Sequence, residues 1–236
     1  IEEQGLVKIS SKGMELTNTG ENIIFKLEHF IYHLRGLNPI AQSIRQQFNC
    51  GYVSIVPGDS DEDETIKMQL GKEAAQYLKK TINNGDIVAV TGGTTMAQIP
   101  RAMENISGLK DIIVVPGRGG LGEKVEIESN TIAAELAKKL KAQYKLLYIP
   151  DNLSPETMES VINEQGIREI LKIVRSADIL LHGIGGAEEI GRRRGLSEKE
   201  IYEISKKGAV AEAFGFYFNK DGKVVHTTTS VGLTIA

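Results

Sequence analysis

From Ile40 onward, short β-branched and aliphatic runs alternate with amphipathic stretches. Ile40, Ile44 and Phe48 recur at helical spacing and predict a helix, followed by a strand at 52–56, a loop at 57–63 and a helix to about Asn83. The alternation continues with strands at 87–90, 112–115, 145–149 and 179–184. Between and after them come helices at 96–105, 129–141, near 156–174 and near 187–206. Strands that are apolar almost throughout are buried on both faces, so the pattern predicts a mostly parallel sheet flanked by helices, an α/β Rossmann-like fold. Residues 214–218 and 223–226 then read as a β-hairpin turned by Asp221-Gly222.

The first part of the chain has a different rhythm. Residues 6–9 and 14–17 read as two short strands around the Gly13 turn. Thr17 or Thr19 then caps a helix to about Leu34, with Ile23, Ile24, Leu27, Phe30, Ile31 and Leu34 at helical spacing. The Gly36-Leu-Asn-Pro39 segment breaks that helix, because proline cannot extend it and glycine suits its end. The domain boundary is placed there, giving 1–35 and 36–236.

Composition narrows the class. In 236 residues, 41% hydrophobic and 25% charged, there is room for one sizeable α/β domain with an add-on. No apolar run approaches the ~20 residues that span a membrane, so a cytoplasmic protein with no membrane partner is expected. Cys50 is the single cysteine and no His/Cys cluster offers ligand spacing, which argues against an internal disulfide and a structural metal. A formal charge of -3 argues against strong nucleic-acid binding by this chain alone. The start at Ile1 and the strand-like stretch from Thr227 to Ala236 predict a piece truncated at both ends. The acidic run at 59–64 reads as a solvated entry to a helix.

Candidate chemistry gathers at two glycine-rich loops. In open parallel sheets ligands collect beyond the carboxyl ends of the strands, where both loops fall. In the first, Gly92 and Gly93 let the backbone approach a ligand while Thr94 and Thr95 offer hydroxyl and amide hydrogens; a tight turn with threonine caps is the plainer reading. No lysine follows in P-loop spacing. In the second, Arg118 stands between Gly117 and Gly119-Gly120, placed to grip a phosphate bidentately. A third glycine-rich exit, Gly183-Ile-Gly-Gly186, precedes Arg192-Arg-Arg194, either an exposed helix face or a reach toward a second phosphate. Glu212 either accepts from sugar hydroxyls or salt-bridges to an arginine. His182 reads as a satisfied, partly buried histidine, Asp178 as a capping or turn residue, and no residue is assigned a catalytic role.

The segment Val88-Ala-Val-Thr-Gly-Gly-Thr-Thr95 resembles the SorC family of bacterial transcriptional regulators. So do Val115-Pro-Gly-Arg-Gly-Gly-Leu-Gly-Glu123, Leu181-His-Gly-Ile-Gly185 and Ala211-Glu-Ala-Phe-Gly-Phe-Tyr-Phe218, in the same order. That resemblance implies a sugar-phosphate-sensing domain of the glucosamine-6-phosphate isomerase/ribose-5-phosphate isomerase type, preceded in residues 1–35 by the wing and linker helix of a winged helix-turn-helix. It further implies a repressor of carbohydrate metabolism without cofactor or catalytic activity. Its effector would be a phosphorylated sugar, fructose-1,6-bisphosphate foremost, and it would reach operator DNA through an N-terminal domain, as a homodimer or homotetramer. On the family pattern Gly92, Gly93, Thr94, Thr95, Arg118, Gly119 and Gly120 would hold one phosphate, Arg193 would help with the other and Glu212 would bind the sugar. Glu128 departs from the resemblance, standing where a family member carries glutamine, and a carboxylate there repels a phosphate unless protonated or turned away. A sugar-phosphate isomerase or deaminase on the same fold is the rival reading.

Overall fold

A computed structural model describes residues 1–11, 13–34, 36–120, 124–150, 153–228 and 231–233, with backbone alone at 25, 28–34 and 155. The expected apolar positions Phe30, Ile31 and Leu34 therefore lie outside the described side chains, and residues 121–123 of the second motif and 229–230 and 234–236 of the strand-like stretch lie outside the described residues. By contact the chain divides into two compact units, Ile1–Pro57 and Gly58–Ala236.

In the first unit β1 (Val7–Ser10) and β2 (Gly13–Leu16) pair antiparallel, followed by α1 (Asn18–Leu34) and α2 (Leu37–Gln47). Thr17 starts α1, its hydroxyl accepting from the Gly20 amide at 3.1 Å. Gly36, at φ 64, separates the helices, and Pro39 sits in the first turn of α2 where it forfeits no hydrogen bond. The break at 36–39 thus lies between two helices of one unit, and the division by contact falls after Pro57. The strand expected at 52–56 is absent: the segment belongs to no strand pairing among the described residues, and an apolar run outside a ladder is not a strand.

The second unit carries the α/β core. Its elements begin with α3 (Glu64–Thr81), β3 (Ile87–Val90), α4 (Gln98–Ala102), β4 (Ile113–Pro116), α5 (Ser129–Leu140) and β5 (Gln143–Tyr144). They continue through α6 (Pro155–Asn163), α7 (Gln165–Arg175) and β6 (Ile179–Leu181). Strands β5-β4-β3-β6 form a sheet with every pairing parallel. The period of two sorts the strand side chains onto opposite faces. Val88, Val90 and Val114 pack with Leu78, Ile99, Ile132 and Leu136 of α3, α4 and α5, while Ala89 and Val115 pack with Val174 of α7. These strand residues are fully buried, as the apolar runs demanded.

A second sheet follows, antiparallel in order β10-β9-β8-β7, from β7 (Gly185–Gly186), β8 (Ala209–Ala213), β9 (Phe216–Asn219) and β10 (Val224–Thr227). Helices α8 (Ala187–Arg193) and α9 (Glu198–Lys206) lie between β7 and β8, α9 opening with a Ser197–Glu200 capping box. The β9–β10 turn is held by Asn219, whose side chain accepts from the Asp221 and Lys223 amides.

Three expectations change here. The run 145–149 is not a strand, because the side chain of Asn130 takes both the N–H and the C=O of Leu147 (3.0 and 3.1 Å), groups that a neighbouring strand would have bonded. The run 179–184 ends at Leu181, and the chain then passes to the other sheet at β7. Phe214, expected in a strand, lies in the turn between β8 and β9, and β8 itself went unanticipated.

Candidate functional site

The exits of β3 and β4 and the second sheet converge on an open cleft of about 220 Å³. Of the sequence-nominated residues, Gly92, Gly93, Thr94, Thr95, Arg118, Gly119, Glu128, Arg193 and Glu212 line it; Gly120 does not.

Thr94 and Thr95 are half-buried in the turn that follows β3. Among the described residues no acceptor takes either amide or either hydroxyl, although the flanking Gly93 and Ala97 amides are bonded to Ile127 and Gly93 carbonyls. Gly92 faces the backbone of Ile127, whose carbonyl would lie 2.8 Å from a Cβ there, so only glycine lets the two loops approach. Donors left unbonded at the rim of a cleft are suited to an anionic guest.

The loop after β4 is built otherwise. The amides of Gly117, Gly119 and Gly120 are given to the carbonyls of Val90, Val231 and Ile149 at 2.7, 2.9 and 3.2 Å, and Leu233 donates back to Gly117 at 2.8 Å. Backbone pairing has thus already used the amides of the second loop. What this loop delivers is the Arg118 side chain, 5% exposed.

Arg118 lies in a buried charge cluster. Its guanidinium is 3.8 Å from Glu212 and donates to the Thr228 hydroxyl at 3.4 Å, and Arg194 donates to the same Glu212 oxygen at 2.8 Å. That oxygen also accepts from the Gly215 amide. Of the two roles open to Glu212, the salt bridge is the one made here, and two guanidiniums balance its buried charge. Tyr217, fully buried beside the cluster, has its hydroxyl pKa pushed up by burial and pulled back by the neighbouring Arg194.

The arginine triplet splits three ways. Arg192 is exposed and paired with Glu198 and Glu188, Arg193 is partly buried 3.9 Å from Glu189, and Arg194 is in the buried cluster with 9% of its side chain exposed. The exposed-face reading thus holds for Arg192 alone. Glu128 turns inward: a Cβ on Gly120 would lie 2.5 Å from its Oε2, which places the carboxylate against the second loop.

His182 is exposed, against the expected partial burial; its Nδ1 lies 3.1 Å from the Gly183 carbonyl and its ring stacks on Phe214 at 4.7 Å. Asp178 accepts from the Ile87 amide at 2.9 Å, a strand-end role of the expected kind. Asp63, in the acidic run, caps α3 through the Thr65 amide; hydrogen bonding from the Thr65 side chain and then from that amide holds its carboxyl below the usual range.

Sequence reasoning missed Lys67, Lys124 and Phe214 in the cleft lining, and from the arginine triplet it singled out Arg193 without Arg194. The lysines carry no local motif. Phe214 had a signal: the dipeptide Phe-Gly separates two short runs in the position of a two-residue hairpin turn.

The family model described as "Putative sugar-binding domain" matches residues 32–236. The chain belongs to this family of sugar-binding domains of SorC-type transcriptional regulators. It is 39% identical over 235 residues to the central glycolytic genes regulator of Bacillus subtilis (strain 168), covering 100% of this chain and 69% of that protein. The regulator of the same name from Priestia megaterium is 37% identical, again over 100% of this chain and 69% of that protein. Among solved structures, a SorC family transcriptional regulator from Enterococcus faecalis superposes with a TM-score of 0.75 at 35% identity, over 83% of this chain and 80% of that one. Members of the sugar-binding domain family at this similarity are named as regulators of transcription, and the α/β fold is shared with them.

Proposed function

We propose that this domain is the effector-binding part of a cytoplasmic repressor of carbohydrate metabolism, that it holds a phosphorylated sugar in the cleft, and that fructose-1,6-bisphosphate is the effector. The observation that carries the reading is the pair of amides at Thr94 and Thr95, unbonded among the described residues, in the same cleft as a buried arginine. Thr94 and Thr95 would hold one phosphate with Arg118; Lys67, Lys124 and Arg193 provide cations for a second. The central glycolytic genes regulators, which this chain resembles along its whole length, support the regulatory part.

The effector acts by binding one arrangement of subunits better than another, since equal affinity for both would shift nothing. Homodimers or homotetramers are expected, with operator DNA read by an N-terminal winged helix-turn-helix of which residues 1–35 would be the wing and linker. Isothermal titration with fructose-1,6-bisphosphate, fructose 6-phosphate and inorganic phosphate, paired with sedimentation with and without ligand, tests both parts. Saturable binding of the bisphosphate and a change in mass distribution are expected; heat from none of the three overturns the reading. Turnover of ribose 5-phosphate, glucosamine 6-phosphate or fructose 6-phosphate would instead favour an isomerase or deaminase.

A further inference from the structure

The β8–β9 turn has only two residues, Phe214 and Gly215, between the paired Ala213 and Phe216. Both have positive φ, 58° and 81°, as in the type I′ turn where asparagine, aspartate and glycine are at ease. Gly215 is explained by its neighbours: a Cβ there would meet the Arg118 guanidinium at 2.5 Å. Phe214 is not explained in that way. It is a poor residue for left-handed backbone, and it belongs to none of the buried apolar clusters. Half-buried, it lines the cleft, with its ring packed against His182 at 4.7 Å and 44°. A strained residue kept at a cleft, with neither turn chemistry nor core packing to account for it, points to contact with the guest.

We infer that Phe214 is a platform for the sugar ring, so that the cleft selects cyclic sugar phosphates over open-chain ones. The inference rests on reading the cleft as a sugar-phosphate site. An aromatic face is electron-rich and attracts the C–H-bearing face of a closed ring, a flat patch that an open-chain polyol does not present. Ile184 and Ile190 line the same cleft and extend its apolar side, while Thr94, Thr95 and Arg118 supply the polar side. His182, tilted against the ring at 4.7 Å and absent from the cleft lining, supports it from outside the cleft.

The test compares fructose-1,6-bisphosphate with a hexitol 1,6-bisphosphate, equal in charge and lacking the ring, on the wild-type chain and on Phe214→Asn and Phe214→Leu. The wild type is expected to prefer the ring by about 3- to 10-fold. Phe214→Asn should abolish the preference with an unchanged or higher thermal midpoint, since asparagine suits the turn, and Phe214→Leu should keep an intermediate preference. Equal binding of the two compounds by the wild type, a preserved preference in Phe214→Asn, or a lowered midpoint in that variant would overturn the platform. Methyl β-fructofuranoside separates the two readings. Phe214-dependent binding of this unphosphorylated ring, with no binding of either bisphosphate, would keep the platform and overturn the phosphate site; bisphosphate binding blind to the ring would do the reverse.

Discussion

After β3 the chain turns with the Thr94 and Thr95 amides unbonded among the described residues, whereas after β4 it turns with the Gly117, Gly119 and Gly120 amides given to Val90, Val231 and Ile149. Both loops are glycine-rich, follow a parallel strand and reach one cleft. A glycine of the first loop serves close approach, as at Gly92 against Ile127; at the second loop the glycine that permits close approach is in its partner, Gly232, against Gly117 and Arg118. Glycine content alone therefore does not identify an anion cradle. What distinguishes one is whether the amides remain unspent after the fold has formed.

Breaking the anchor of the second loop should give the largest effect. Glu212→Ala leaves Arg118 and Arg194 buried without their shared counter-charge and should cost about 3–5 kcal/mol in urea unfolding. A loss near zero would mean that the guanidiniums reach solvent once released. Next comes Gly232→Ala, whose Cβ would collide with the Gly117 carbonyl and the Arg118 backbone at φ 157°; a loss of roughly 3 kcal/mol is expected by the same measurement.

The first loop should respond in the opposite currency. Replacing Thr94 and Thr95 by alanine should weaken binding of a phosphorylated ligand by about 1.5–3 kcal/mol, read by titration calorimetry, since hydroxyl donors to a charged group are lost. The unfolding free energy should move by no more than about 0.5 kcal/mol. If stability falls instead, the threonines are structural and the contrast between the loops disappears.

The smallest effect concerns pH. Burial and the nearby Lys207 hold His226 below its ordinary pKa of 6.5 in the folded state, with Glu200 opposing. The unfolded chain then binds the extra proton first, so stability is lost as the pH falls from 6.5 toward the folded value and is fully present above 6.5. A shallow rise in unfolding midpoint from pH 5 to 7.5, flattened in His226→Asn, is the expected result. Because His226 packs on Tyr217 at 5.4 Å, acid should loosen the sheet beneath Arg118 and leave the Thr94–Thr95 turn unchanged.

The parallel sheet was legible because β3 and β4 are apolar on both faces, and the start of α1 because Thr17 announces its cap. Local signals of this kind survive in one dimension. The nominated residues at 92–95, 118 and 212 do reach one cleft, since they stand beside recognisable strand exits and motifs. The bonding state of the glycine amides was illegible, because their partners at Ile149 and Val231 lie far along the chain. Arg194 was hidden by its two arginine neighbours: only the end of α8 decides which of the three turns toward Glu212. The failed strand at 145–149 has the same origin, since nothing near Leu147 announces that Asn130 will take its backbone groups.

The bridge between Arg118 and Gly232 also carries a consequence for the order of assembly. The turn holding Thr94 and Thr95 is framed by contacts to Ile127 and to its own residues, with Thr91 just before it bonded to Leu181, so it can set once β6 has been made. Arg118 is fixed against residues more than a hundred positions downstream, and closing so long a segment is a slow, entropically costly step. On a translating ribosome the two walls of the cleft should therefore mature at different moments, the amide wall first and the arginine wall only after residues 228–233 have emerged. A pulse of ligand during synthesis should then find no complete pocket until Thr228 and Gly232 are in place.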